Sequence, residues 1–137
     1  MRRTIRLIGY WQGPLVPDGW PDVREFVSES PSVELRRAVA TYLRSGTAFV
    51  VAAGFSACRF CGIRNGSAEL TDGEHFVWPQ GLAHYVESHD VWLPEEVVTV
   101  ARRGPAPPVD PLGFGLAQLE TGEVEVDYKW WQSVHQF

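Results

Sequence analysis

The chain has 137 residues, the length of one domain, and a chain of this size hides roughly two-thirds of its unfolded surface. Apolar residues make up 45% and charged residues 21%, which excludes intrinsic disorder, a state that needs few apolar residues and a strong charge bias. The longest apolar stretch, 48–55, is far below the ~20 residues that a transmembrane helix requires.

Charge divides unevenly along the chain. Residues 1–57 carry seven arginines against five acids, whereas residues 58–137 carry five basic residues against twelve acids, giving net charges of +2 and −7. The second half therefore repels phosphate backbones, and only a local arginine cluster could offer nucleic acid a basic face. The basic N-terminus lacks the apolar region and cleavage site of a secretion signal, so a cytoplasmic location is expected. In that reducing compartment the two cysteines, Cys58 and Cys61, read as metal ligands or redox groups before they read as a disulfide. Thirteen glycines and ten prolines predict a fold rich in turns.

In chain order, residues 4–11 alternate as a strand, with Ile5 and Leu7 facing one way and Ile8 and Tyr10 the other. Pro14, Pro17 and Pro21 then impose a loop, and 22–27 can form a short helix. The clearest helix is expected over 30–44. Ser30 would cap it, Pro31 suits its first position, Leu35, Ala38, Val39, Tyr42 and Leu43 form its apolar stripe, and Gly46 stops it. Residues 47–55, with β-branched Val50 and Val51, predict a strand buried on both faces. Asp72 and Gly73 between two apolar runs, 67–70 and 75–78, predict a hairpin. A second helix should begin at Pro79, with Leu82, Tyr85, Val86 and His89 on one stripe. Extended backbone follows over 91–94, and Pro94 opens a third helix. In that helix Glu95 and Glu96 at the start and Arg102 and Arg103 at the end agree with the helix dipole, and Gly104 terminates it. Residues 105–111 read as a surface loop. Residues 123–131 alternate as a strand with Val124, Val126, Tyr128 and Trp130 inward. There is no internal repeat.

The chemistry-bearing pattern is C-x2-C-x22-H-x4-H, made by Cys58, Cys61, His84 and His89. Zinc takes four tetrahedral nitrogen and sulfur ligands, and a Cys-x-x-Cys turn supplies two thiolates while a helix supplies imidazoles from a second element. Gly62 favours this reading, since a glycine after the second cysteine lets the turn close and point N–H groups at the sulfurs. Two features oppose it. The spacer exceeds the ~12–15 residues of the usual finger, and an i, i+5 pair on an ideal helix is separated by ~140°. His89 must then sit on a tightened or terminated last turn. The competing reading has two buried thiols, a core His89 and a solvated His84.

Other chemistries fit less well. A thioredoxin-like dithiol needs a long helix directly after it, and here Arg64, Asn65 and Gly66 intervene before a hairpin. A deaminase would need H-x-E ahead of P-C-x-x-C, the reverse of this order. A hydrolytic site of Cys58, Cys61 and His84 with bound water and Glu87 as base is the remaining catalytic option. Asn65, Gly66 and Ser67 match a glycosylation sequon but read as a tight turn, and Gly113, Phe114 and Gly115 read as a flexible loop without phosphate-binding partners. Trp92, Trp130 and Trp131 read mainly as packing residues, with an interface role as the alternative.

The run Cys58, Arg59, Phe60, Cys61, Gly62, with Asn65-Gly66-Ser67, Thr71-Asp72-Gly73, Trp78-Pro79, the segment 81–86, His89 and Leu93-Pro94, is similar to a group of small uncharacterised bacterial proteins. The match covers about a third of the chain, and Trp92 stands where that group places a basic residue. The resemblance implies a shared module and no particular reaction.

The expected architecture is α+β in one domain, 1–137: a small sheet, one long helix, and a knuckle-hairpin-helix zinc module at about 56–93 built into the same core. A closed four-ligand zinc site leaves no position for substrate, so no catalytic residue is assigned. The expected role is a protein-binding or regulatory module, of inhibitor or immunity type, acting on a basic protein partner. The alternatives are the Glu87 hydrolase and a nucleic-acid adaptor using Arg36, Arg37 and Arg44.

Overall fold

The computed structural model describes residues 3–13, 19–29, 32–51 and 56–134. Among them five strands form one mixed sheet: β1 (Arg3–Leu7), β2 (Thr47–Val51), β3 (Ala68–Thr71), β4 (Phe76–Pro79) and β5 (Val124–Asp127). Their order is β2-β3-β4-β1-β5, with β2, β3 and β4 antiparallel in succession and β1 parallel to both of its neighbours. Four α-helices accompany the sheet among the described residues: α1 (Val33–Arg44), α2 (Leu82–Ser88), α3 (Glu95–Ala101) and α4 (Lys129–Gln132), with a 3-10 turn at Val23–Phe26. The fold is α+β, as expected.

The expected cap Ser30 and first-turn Pro31 lie outside the described residues. Ser32 caps α1 instead, its hydroxyl accepting from Leu35 N at 3.0 Å, and Val39, Ala40, Tyr42 and Leu43 are buried against the sheet and neighbouring helices. Gly46 follows the helix for a reason of packing. A Cβ there would lie 2.5 Å from the Trp78 ring, whose Nε1 donates to Leu43 O at 3.0 Å.

The strand expected over 47–55 takes a different place from the one its composition suggests. β2 is an edge strand paired only with β3, and Val50 and Val51 are 40% and 74% exposed, while 52–55 lie outside the described residues. The strand buried on both faces is β4. Phe76 and Trp78 enter the large core beneath the helices, and Val77 joins Ile5, Phe114 and Val124 in a smaller core on the other side. Position in the sheet decides this, because β4 has a neighbour on either side and helices or loops over either face.

Other expectations also shift, and the first strand, expected over 4–11, ends at Leu7. Pro79 is the last residue of β4, paired with Glu69, and α2 starts after Gly81, since Gln80 N still donates to Ala68 O at 2.9 Å and prolongs the ladder. Gly113, Phe114 and Gly115 belong to a π-helical segment, Gly113–Leu119, and Phe114 is buried against Phe49 at a ring separation of 4.9 Å. The last strand ends at Asp127, where the carboxylate accepts from Lys129 N and Trp130 N at 3.0 and 3.2 Å and starts α4. Tyr128 is therefore exposed, Trp130 lies half-buried with the Arg6 guanidinium 4.3 Å from its ring, and Trp131 is the buried residue, donating from Nε1 to Tyr10 O at 2.7 Å.

The β3–β4 hairpin turns on Asp72. Its Oδ1 accepts from the backbone N–H groups of Glu74, His75 and Phe76 at 2.9, 2.7 and 3.1 Å, and its Oδ2 accepts from the Tyr42 hydroxyl at 2.6 Å with His75 Nδ1 at 3.0 Å. Burial disfavours the ionised carboxyl, but the Tyr42 hydroxyl and the three backbone donors outweigh it and hold the group below the usual carboxylate range. A folded-state pKa below the unfolded value means stability that is present above the unfolded value of about 4 and lost as pH falls below it. Asp72→Ala should cost about 3 kcal/mol at neutral pH. The difference from the parent should shrink as the pH falls below about 4, which denaturant titration at several pH values measures.

Candidate metal centre

The first half of the site is a knuckle tied at its base. Ala57 bridges to Arg64, Cys58 N donates to Ile63 O at 2.9 Å, and Gly62 N donates to Cys58 O at 2.9 Å. Gly62 adopts φ +74°, and no atom lies within 4 Å of where a Cβ would stand, so glycine is needed there for conformation alone. Phe60 N points at the Cys58 sulfur at 3.4 Å, the N–H to sulfur contact expected of such a turn.

The second half is α2 and its end. Leu82, Ala83, Tyr85 and Val86 are buried, which leaves His84 on the opposite face toward the knuckle. The angular conflict between His84 and His89 is resolved at the C-cap. His89 leaves helical geometry at φ −131° and ψ 18°, its N–H still bonded to Tyr85 O at 3.1 Å, and Asp90 then takes φ +55°. The chain turns there, and His89 comes back beside His84.

The four expected ligands meet. One donor atom from each of Cys58, Cys61, His84 and His89 lies within 4.8 Å of the other three, a group that can hold a metal ion. His84 Nε2 is 3.2 Å from His89 Nε2 and 3.4 Å from Cys61 Sγ. The cysteines form no disulfide; Cys58 is buried and Cys61 exposed. Burial, then His89, then Arg44 hold the His84 pKa below its usual value, which favours the neutral imidazole that a metal requires.

Neighbouring side chains fix this arrangement, a role that sequence patterns did not assign to them. The Tyr85 hydroxyl accepts from Arg59 N at 2.8 Å and has the Cys58 sulfur as its own hydrogen-bond partner. Phe60 stacks on the His89 ring at 4.8 Å. From α1, Arg36 donates to Val86 O at 2.9 Å and pairs with Asp90 at 2.7 Å, so it holds the terminal turn of α2 from outside. The sequence did mark these residues in other ways, Tyr85 on the apolar stripe, Arg59 and Phe60 inside the Cys-x-x-Cys run and Arg36 among the helix arginines.

Arg44 pairs with Glu87, and the hydrogen bond from Arg44 is the main reason the Glu87 carboxyl sits below its usual pKa. Glu87, the base of the hydrolytic alternative, is thus paired with Arg44, and two of the three arginines of the adaptor alternative serve α2. Asn65 donates from Nδ2 to Gly81 O at 3.2 Å within a turn in which Gly66 has φ +92°, in keeping with the turn reading of that tripeptide.

Tyr85→Phe removes the donor to Cys58 and the acceptor for Arg59 N together. It should weaken metal affinity by ~10–100-fold in a chelator competition while leaving the fold cooperative in thermal unfolding.

No protein-family model, curated protein or solved structure matches the chain, so the functional reading rests on its own residues.

Proposed function

We propose that the chain is a zinc-stabilised protein-recognition module, one that regulates or inhibits a basic partner. The observation that carries this reading is the mutual spacing of the four donors. Zinc bonds of about 2.0–2.1 Å to nitrogen and 2.3 Å to sulfur, set tetrahedrally, place N···N near 3.3 Å and S···N near 3.6 Å by simple trigonometry. The His84–His89 and Cys61–His84 separations of 3.2 and 3.4 Å match both. Two thiolates with two imidazoles favour zinc over the oxygen-seeking cations, and four protein ligands complete its shell. A complete shell stabilises a fold and offers no position to a substrate.

Recognition is supported by what surrounds the cluster. Phe60 and Ile63, on the knuckle itself, are 37% and 50% exposed, an apolar offering of the kind that protein contacts bury. The −7 charge of residues 58–137 speeds encounter with a basic partner and opposes a phosphate backbone.

Elemental analysis of the purified protein should give one zinc per chain, and Cys58→Ser should lose it. Structural zinc supplies on the order of ~10–16 kcal/mol in small peptides, so that variant should loosen residues 58–90 while α1 and the sheet persist in part. A metal-free protein with two freely titrating thiols and unchanged thermal stability in chelator would overturn the assignment. Binding to random duplex and single-stranded nucleic acid at ~0.15 M salt should be negligible. Sub-micromolar, steeply salt-dependent binding lost on neutralising Arg36, Arg37 and Arg44 would transfer the function to the adaptor class.

A further inference from the structure

A cavity of about 350 Å³ opens beside the knuckle, between the residues that follow β1 and the start of α2. Its volume falls within the ~300–1,000 Å³ typical of small-molecule sites. Tyr10, Trp20, Leu82 and Tyr85 give it apolar walls, and Tyr10 and Trp20 pack on each other at a ring separation of 5.5 Å and a tilt of 30°. A planar ring is the guest that such walls favour, because stacked and tilted aromatic contacts add to simple apolar burial.

The polar end is Arg59 with Asn65. Arg59 is the one charged residue in the lining, on a chain whose net charge is −5. Its guanidinium is held in place by backbone acceptors: Ala57 O at 2.8 Å, Gln12 O at 3.3 Å and Trp11 O at 3.5 Å. Those are three acceptors for five N–H groups, and among the described residues no carboxylate pairs with it. Trp11 also lines the cavity, and its Nε1 is the one buried side-chain polar atom among the described residues without a hydrogen-bond partner. The Tyr10 hydroxyl is already committed to Glu69, and burial with that carboxylate pushes its pKa far up, so the phenol stays neutral. The site thus joins aromatic walls to a fixed cation that no carboxylate among the described residues neutralises, which disfavours an aromatic cage for cationic ligands.

We propose that this cavity is a binding site for a planar aromatic anion, with the ring laid against the wall that Tyr10, Trp20 and Leu82 form and the anionic group at Arg59. A carboxylate and a phosphate both suit a guanidinium, so the chemistry includes aryl carboxylates and nucleobases bearing a phosphate. The site is separate from the four metal ligands and does not require the protein-recognition role, although Arg59 and Tyr85 belong to both neighbourhoods.

Calorimetry on the full chain as purified tests this with a charge series: 1-naphthylacetate, its neutral amide, and 1-naphthylmethylammonium, with AMP against adenosine as a second pair. The anion should bind at least about 10-fold more tightly than its neutral counterpart in one pair or the other, and the ammonium should not bind. Preference for naphthylacetate assigns an aryl carboxylate, and preference for AMP a nucleotide; either supports the proposal. Arg59→Met should erase the charge preference and retain weak ring binding. Because Arg59 also ties the knuckle to residues 11–12, its variant is first checked for cooperative unfolding. Trp20→Ala, at a half-buried ring, carries the test if that check fails, and it should weaken the bound anion by about 10-fold. No binding of any probe at millimolar concentration, equal binding of the ammonium and the anion, or an undiminished preference in folded Arg59→Met would overturn the proposal.

Discussion

The short helix α2 must stop at Ser88, and much of the molecule is arranged around that stop. Two imidazoles five residues apart cannot share a side of a continuing helix, because each residue advances the chain by about 100°. Ending the helix one residue before His89 removes the conflict and brings both rings to the knuckle. The stop has its own supports. Arg36 occupies the Val86 carbonyl and the Asp90 carboxylate at once, and Asp90 accepts a left-handed conformation that asparagine and aspartate tolerate better than most residues. A helix of seven residues has little intrinsic stability, so these tertiary contacts and its buried face supply what propensity does not.

That buried face also explains why one helix serves three neighbourhoods. Leu82 lies against Gly9 and walls the cavity, Tyr85 touches the Trp11 ring and the Cys58 sulfur, and Val86 packs in the core beneath α1. Displacement of α2 would therefore be felt at the candidate metal ligands, in the aromatic cluster of Trp11, Phe26 and Trp131, and at the cavity together. The knuckle is different. It contributes Cys58 to the large core while Phe60, Cys61, Gly62 and Ile63 remain exposed, so apolar burial alone cannot hold it. A coordinated ion would supply what that small loop lacks.

Charge is used for structure more than composition suggests. Arg36 and Arg44 on α1 meet Asp90 and Glu87 of the α2 region, which aligns two helices whose apolar faces already pack. Asp72, buried in a turn, is held as a carboxylate by hydrogen-bond donors from its own loop and from Tyr42 on α1, and so fixes the hairpin that delivers α2 to its place.

The sequence by itself determined the α+β class, the hairpin at Asp72 and Gly73, the existence of the helices α2 and α3, with the start of α3 after Pro94, and the four residues that gather as candidate metal ligands. Those features depend on spacing and local chemistry: a glycine after Cys-x-x-Cys, an apolar stripe, a proline at a helix start. It also required that the last turn before His89 be tightened or terminated, because a regular helix keeps His84 and His89 apart, and the structure takes the second course. What only the tertiary structure decided was position across the sheet and the partners drawn from distant segments. Residues 47–51 and 76–79 are both short apolar runs, and nothing local says that the first lies at an edge and the second at the centre. The alternation over 123–131 continued past Asp127 in sequence, yet the carboxylate cap and the buried seat for Trp131 beside Trp11 and Phe26 ended the strand there. Arg36 at Val86 and Arg59 at the aromatic cavity are pairings across 50 and 48 or fewer positions, and periodicity within one segment carries no record of such contacts.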